Sequence, residues 1–292
     1  MTNPEHPLYG AFIGDIFGSA YEFSSSPEDK LPSLSANDFD LGNRDYTDDS
    51  VRTAAILSSL RHKQSAAEER RRFAKEYPPR KGGFGLRFSS WLSDPKRKAY
   101  HSFGNGAGRR ISPVPYFSST LFDCDSLAVK ITALTHDHKE GIKAGAVIAD
   151  LIYLALNGYR KEDREKFALL FYPDCLSFNF TFLHLFYSYN AKAAGSVPQA
   201  LFCFFKTNDF LSCLKAVCYI GGDADTIGAR SLAIALAYYQ KVPDNILSFT
   251  KTKLPLSFVE RIEKAPLPQK NKSTPVYKEE ERKKLPSFIL TR

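Results

Sequence analysis

The apolar positions of this chain recur in helical rather than alternating order. From Tyr9 to Phe23 they predict a first helix, with Gly14, Gly18 and Glu22 at four-residue steps on one face. A stretch rich in Ser, Pro and Asp, from Ser24 to Arg44, reads as a loop. Val51–Leu60 predicts a helix, and Ser65–Tyr77 a charged, solvated one closed by Pro78-Pro79. From Arg80 to Pro115 the chain is rich in Gly, Arg, Lys and Pro, with little periodicity except around Trp91. Loops of that length inside a domain are usually functional or disordered. Helices follow over Cys124–Thr135 and Glu140–Asn157, the latter ending at Gly158 in the C′ position. Phe178, Phe180 and Phe182 alternate like a strand between flanks that favour helix, so that segment stays open. Val197–Phe205, Phe210–Tyr219 and Thr226–Gln240 complete the set. With no βαβ rhythm, repeat or linker, the expected fold is all-α, one domain over residues 1–267. Residues 268–292 turn to Lys, Glu, Pro and Ser and predict a tail or loosely docked strap, with Lys278–Lys284 a short solvated helix.

Composition narrows the class. The chain has 292 residues, 43% hydrophobic and 25% charged, which excludes wholesale disorder. No apolar run reaches the ~18–20 residues of a membrane span. Residues 1–7 lack the basic and apolar regions of a secretory signal. The formal net charge of +8 favours an anionic partner. Nucleic acid is not expected, because no module that binds it is present. Cys124, Cys175, Cys203, Cys213 and Cys218 form no CxxC pair, and an odd number cannot all pair; small core residues in a reducing, cytoplasmic setting are expected.

The chemistry concentrates in two short acidic clusters, Thr47-Asp48-Asp49-Ser50 and Gly221-Gly222-Asp223-Ala224-Asp225-Thr226, each immediately before a predicted helix. Capping accounts for one side chain per helix start, at ~1 kcal/mol each, whereas here each start carries two carboxylates and a hydroxyl. If the clusters meet, their charges repel unless a cation lies between them. An all-oxygen set selects a hard ion such as Mg²⁺ or Mn²⁺ over zinc. Asp15 and Glu22 are expected nearly in line on the first helix, with Glu22, at its end, the better acid/base candidate and Asp15 either a participant or a buried hydrogen-bonding residue. In His101-Ser102-Phe103-Gly104-Asn105-Gly106-Ala107-Gly108-Arg109-Arg110, glycine amides followed by two arginines can cradle phosphate, although Gly-Asn-Gly is also a common turn. His136 would ordinarily be a helix-end cap.

In order and spacing these blocks resemble the ADP-ribosylglycohydrolase family. They run from Gly10–Ser19 through Glu22, Tyr46–Ser50, Ser102–Gly106, Leu134–His136 and Ser196–Ala200 to Gly221–Ala229. The resemblance implies a compact bundle of crossed helices around a central cleft holding two Mg²⁺ or Mn²⁺ ions. It implies Thr47, Asp48, Asp49, Asp223, Asp225 and Thr226 as metal ligands, with Asp48 and Asp49 also catalytic, and Glu22 in acid/base chemistry at the metal centre. Ser102, Phe103, Gly104, Asn105, Gly106 and His136 are implied to contact ADP-ribose. The activity implied is hydrolysis of the glycosidic bond joining ADP-ribose to a protein side chain or a small conjugate, by a monomer. A non-hydrolytic ADP-ribose binder and a dinuclear nucleotide phosphohydrolase are the alternatives. Three departures stand out: Ser50 for the usual Thr, Gly108-Arg109 where a small residue and Met are usual, and Arg230 where an apolar residue is common.

Overall fold

Helix α1 (Tyr9–Gly18) carries a glycine every fourth residue, and these glycines decide its partner. A Cβ on Gly10, Gly14 or Gly18 would lie about 2.1–2.2 Å from the backbone of Leu232, Gly228 or Ala224 respectively. The stripe therefore lets α1 lie backbone to backbone against α11 (Ala224–Tyr239), and the order of the pairs makes the two helices antiparallel. Every residue of α1 is buried. The computed structural model describes residues 6–35, 42–267, 280 and 283–291.

Around this pair lie α2 (Asp48–His62), α3 (Ala66–Glu76), α4 (Leu86–Ser93), α5 (Leu121–Ala133), α6 (Lys139–Leu156) and α7 (Lys161–Phe171). The chain continues with α8 (Phe180–Phe186), α9 (Val197–Phe205), α10 (Phe210–Ile220), α12 (Asp244–Lys253), α13 (Leu256–Glu263) and α14 (Pro286–Thr291). Among the described residues the only β pairings are isolated bridges, Glu22 with Gly222 and Gly104 with Lys192. The fold is all-α, as expected. No helix of the described residues is long and apolar enough to cross a membrane. All five cysteines are buried and free.

Several helices follow local signals. Thr47, Ser65 and Thr120 cap α2, α3 and α5 by accepting the amides of Asp49, Glu68 and Asp123. Gly158, at φ 79°, follows α6 as the C′ residue. The segment left open becomes helix α8, and its Phe182 and Phe186 face solvent. The long predicted loop contains α4, built around Phe88 and Trp91, and 3₁₀ turns at Asn105–Ala107 and Val114–Phe117.

One expectation fails where the site is concerned. Helix α1 stops at Gly18 instead of continuing to Phe23, so Asp15 and Glu22 do not share a helix face. Glu22 instead bridges Gly222, with the Phe23 amide donating to the Gly222 carbonyl at 2.7 Å. That tie across 200 residues sets the position of Glu22. The expected helix over Lys278–Lys284 falls largely outside the described residues. Beyond it, α14 packs against α5 and α6, where Ser287 hydrogen-bonds the buried Asp125.

Candidate functional site

The α1–α11 contact and the entrance of α2 bring the two acidic clusters together. Asp15, on α1, accepts hydrogen bonds from the backbone amides of Thr47 (3.0 Å) and Ser50 (3.1 Å) and from the Thr47 hydroxyl (2.6 Å). The Ser50 hydroxyl donates to it as well. One carboxylate thus caps a helix that belongs to another part of the chain, and it fixes where Asp48 and Asp49 point. Ser50 supplies the hydroxyl this requires, so the departure from Thr leaves the interaction intact.

Capping explains Thr47 but not the second cluster. Asp223, at the N-cap of α11, makes no capping bond with its side chain. Consecutive glycines at φ 63° and 70°, Gly221 and Gly222, turn the chain into the helix through a backbone region that disfavours side chains. The Asp223 carboxylate accepts from Asn105 Nδ2 at 2.6 Å, and Thr226 Oγ1 donates to Asp49 Oδ2 at 3.2 Å, joining the clusters directly. Carboxylate oxygens of Asp15, Asp49 and Asp225 all lie within 4.8 Å of one another. Asp225 Oδ1 is buried without a hydrogen-bond partner.

This density of charge shows in the proton affinities. Burial pushes Asp49 and Asp225 well above the ordinary carboxylate range; Arg109 opposes the shift at Asp49, and Asp223 adds to it at Asp225. Glu22 is pushed up to about 7, by burial and then by Asp223. Asp15 rises to about 6 by burial, against the pull of its Ser50 and Thr47 hydrogen bonds. The donor set is all oxygen, crowded and incompletely partnered, and it fits a hard divalent cation.

The arginines are the surprise. Arg109 does not reach outward. Its Nη2 donates to Asp48 Oδ2 at 2.9 Å, its Nε lies 2.5 Å from Asp49 Oδ1, and its Nη1 donates to Thr226 Oγ1 at 3.3 Å. Arg52 Nη1 adds a second contact to Asp48 Oδ2 at 3.1 Å. Arg110 donates to the Gly106 carbonyl and to Thr135 Oγ1. Arg230 donates to the Asn105 carbonyl and to Ser196 Oγ. The expectation that Arg109 and Arg110 form a phosphate cradle is therefore wrong: both are turned into the protein, one to answer acids and one to brace the glycine loop.

That loop runs beside the cluster. Gly104 bridges Lys192, and the Asn105 amide donates to the Ala191 carbonyl at 2.8 Å. Ser102 Oγ is used within the loop, accepting from the Gly104 amide. Asn105 faces Asp223, and Gly106 is buried. His136 is buried too, its Nε2 about 3.2 Å from where a Gly106 Cβ would stand. Burial and then Arg110 hold its pKa well below the usual value, so the imidazole is neutral. Of the six residues proposed to contact the ligand, only Phe103 presents an exposed side chain. Exposed aromatics missed in the sequence stand nearby: Phe23 and Tyr189 pack with ring centroids 4.7 Å apart. Phe23 adjoins Glu22, and Tyr189 has its pKa raised by burial and by Asp223. Phe23 reads in the sequence only as the end of the first apolar segment, and a Tyr-Ser-Tyr run in a polar stretch is the one trace of Tyr189.

Comparison with known proteins agrees with this geometry. The ADP-ribosylglycohydrolase family profile matches residues 7–267. The chain belongs to the ADP-ribosylglycohydrolase family. Among curated proteins it is 26% identical to the ADP-ribosylhydrolase ARH3 of Mus musculus, over 82% of this chain and 84% of that one. The human ADP-ribosylhydrolase ARH3 is also 26% identical, over 82% and 86% respectively. A solved structure titled ADP-ribosylglycohydrolase-related protein complex superposes with a TM-score of 0.64 at 22% identity. It covers 88% of this chain and 93% of its own. That likeness concerns the fold.

Proposed function

We propose that the protein hydrolyses the glycosidic bond between ADP-ribose and a modified protein side chain or related conjugate. The observation that carries this reading is the meeting of Asp48, Asp49, Asp223, Asp225 and Thr226 at one buried place, joined by the Thr226–Asp49 hydrogen bond, with Glu22 held beside Asp223. Family membership and the relatives' name, ADP-ribosylhydrolase, supply the substrate class. Residues 7–267 are proposed as the functional unit.

The cation proposed for this cluster is Mg²⁺ or Mn²⁺, held by carboxylates and hydroxyls drawn from Thr47, Asp48, Asp49, Asp223, Asp225 and Thr226. Bound there, it would supply Lewis-acid polarisation and help orient the sugar. The chain's own groups supply the rest. Glu22, its pKa pushed up to about 7 so that a good share is protonated near neutral pH, gives its proton to the leaving nitrogen or oxygen as the bond to C1″ breaks and positive charge develops on the sugar. As a carboxylate it then takes the proton of the water that adds to C1″, which restores its starting state. Asn105 and Asp15 are positioning residues, holding Asp223 and the entrance of α2. Phe103, Phe23 and Tyr189 offer aromatic faces for the nucleotide.

Arg109 favours a second reading, because its ion pairs with Asp48 and Asp49 suit a relative that binds ADP-ribose without cleaving it. Incubating the protein with arginine-linked and serine-linked ADP-ribosyl peptides, with and without Mg²⁺, and following released ADP-ribose distinguishes the two. Mg²⁺-dependent release from either linkage supports the hydrolase. Binding without release supports the second reading, and AMP or phosphate as product means a phosphohydrolase.

A further inference from the structure

The Arg109 guanidinium does more than depart from the usual residue at its position. It touches three of the six groups assigned above to a cation, Asp48, Asp49 and Thr226. A guanidinium is not deprotonated in proteins, so this charge is permanent. Asp48 Oδ2 is contacted from a second side by Arg52, whose guanidinium stacks over the Phe88 ring at 3.7 Å and is held there. These two arginines answer Asp48 Oδ2 directly, and Arg109 meets Asp49 Oδ1 as an ion pair without hydrogen-bond geometry.

The opposite side is different. Asp225 Oδ1 is buried and has no hydrogen-bond partner, with oxygens of Asp49 and Asp15 within 4.8 Å. No arginine hydrogen-bonds or forms an ion pair with Asp225 among the described contacts. A divalent ion needs carboxylate lone pairs at ~2.0–2.1 Å for Mg²⁺. On the Asp48 side those lone pairs already face guanidinium N–H groups, and a divalent charge there would stand against a fixed positive one. On the Asp225 side Oδ1 is without a partner, and Asp15 and Asp49 Oδ2 accept only from neutral hydroxyls and amides.

We propose that Arg109 is a built-in cation standing in for one of the two divalent ions, so that this protein binds a single divalent ion, on the Asp225 side of the cluster. The proposal rests on the reading of the cluster as a cation site, and its test does not depend on turnover. The charge relation supports it: a guanidinium and one divalent ion together neutralise much of a cluster that two divalent ions would neutralise in a relative without the arginine. Arginine also holds its geometry by several hydrogen bonds at once, as a lost ion's ligand set requires.

Mn²⁺ titration of the full chain, followed by calorimetry and by electron paramagnetic resonance of the bound ion, tests this. The wild type is expected to bind one Mn²⁺ with the six-line spectrum of an isolated ion. Arg109→Met is expected to bind two, with the broadened spectrum of an exchange-coupled pair. Arg109→Gln, which keeps a polar but shorter and uncharged side chain, serves if the Met variant does not fold. Asp225→Asn in the wild-type background is expected to weaken the single site at least tenfold. Two ions in the wild type, none at all, or one ion unchanged in both Arg109 variants would overturn the proposal. If one ion binds as expected but no linkage is cleaved, the hydrolase reading fails while this inference stands.

Discussion

Two groups of carboxylates lie in the interior of this protein, and the chain meets their charge in different ways. Around Asp49 and Asp225 it brings arginines, helix entrances and hydroxyls to acids that remain partly unsatisfied. On α5 and α6, Asp125 and Asp150 lie together beside Cys124 with no cation described against them. Asp125 is satisfied by the Ser287 amide and hydroxyl of α14, and Asp150 has only Asp125 and Cys124 against it. Burial and then Asp125 push the Asp150 carboxyl well above its ordinary range. Protonation answers the charge there, as it does for buried acids generally. One group is met by arginines at the candidate site, and the other has no arginine or lysine described against it and is used to dock α14. A buried acid by itself therefore does not mark a functional centre; its partners do.

The comparison can be broken from either side. The largest effect is expected from Asp223→Asn with Asp225→Asn, which should bring ADP-ribose release below detection while circular dichroism stays that of the wild type. Retained turnover would remove the cluster from the chemistry. Next, Glu22→Gln should lower kcat by about 10²–10⁴-fold and leave the affinity for free ADP-ribose unchanged; an equal loss of affinity would make Glu22 a binding group instead. Asp15→Ala strands buried donors of Thr47 and Ser50, each costing about 1–3 kcal/mol. Its denaturation midpoint should fall accordingly, and a wild-type midpoint would show that α2 needs no cap from α1.

Smaller effects belong to the second pair. Because the Asp150 pKa is higher in the folded than in the unfolded protein, the folded state holds more protons between the model-peptide value of 3.8 and the raised one. Its contribution to stability is complete below 3.8 and is lost as the pH rises through the folded value. Asp150→Asn should flatten that slope and raise the unfolding temperature at neutral pH, with hydrolysis untouched. An unchanged pH profile would place the charge elsewhere. Smallest is Ser287→Ala, expected to cost about 1 kcal/mol and to raise hydrogen exchange in α14 alone.

Helices with a clear apolar stripe or end signal were legible in the sequence: α3 between Ser65 and Pro78, although its Glu69 and Arg70 are buried rather than solvated, α6 with its Gly158 end, and α9 to α11 within one or two residues. Helix α7 was not, because its buried stripe of Arg164, Phe167, Ala168 and Phe171 includes an arginine. That guanidinium packs 3.9 Å over the Tyr238 ring, a partner 74 residues away, and no periodicity rule counts such a residue as apolar. Helices α12 and α13 were passed over in a stretch with several lysines and prolines. The end of α1 was also misread, since Gly18 looks like another step in its glycine stripe until Ala224 is seen against it.

In the candidate site, residue types and short spacings suffice for the acids, since Thr-Asp-Asp and Asp-x-Asp at helix starts carry their chemistry locally. The glycine stripe likewise announces that something approaches α1 closely. The direction of a long side chain is another matter. Arg109 carries the same charge whether it extends toward a diphosphate or folds back onto Asp48 and Asp49, and its neighbours in the chain do not distinguish the two. That choice belongs to α2 and α11, which place the carboxylates of Asp48 and Asp49 and the hydroxyl of Thr226 within reach of the guanidinium from about 60 and more than 110 residues away along the chain. The ion pairs formed there lie in a desolvated interior, where a charge is held far more firmly than in water. The surplus positive charge of the chain is thus spent in part on its own acids, and only the folded arrangement of three helices reveals it.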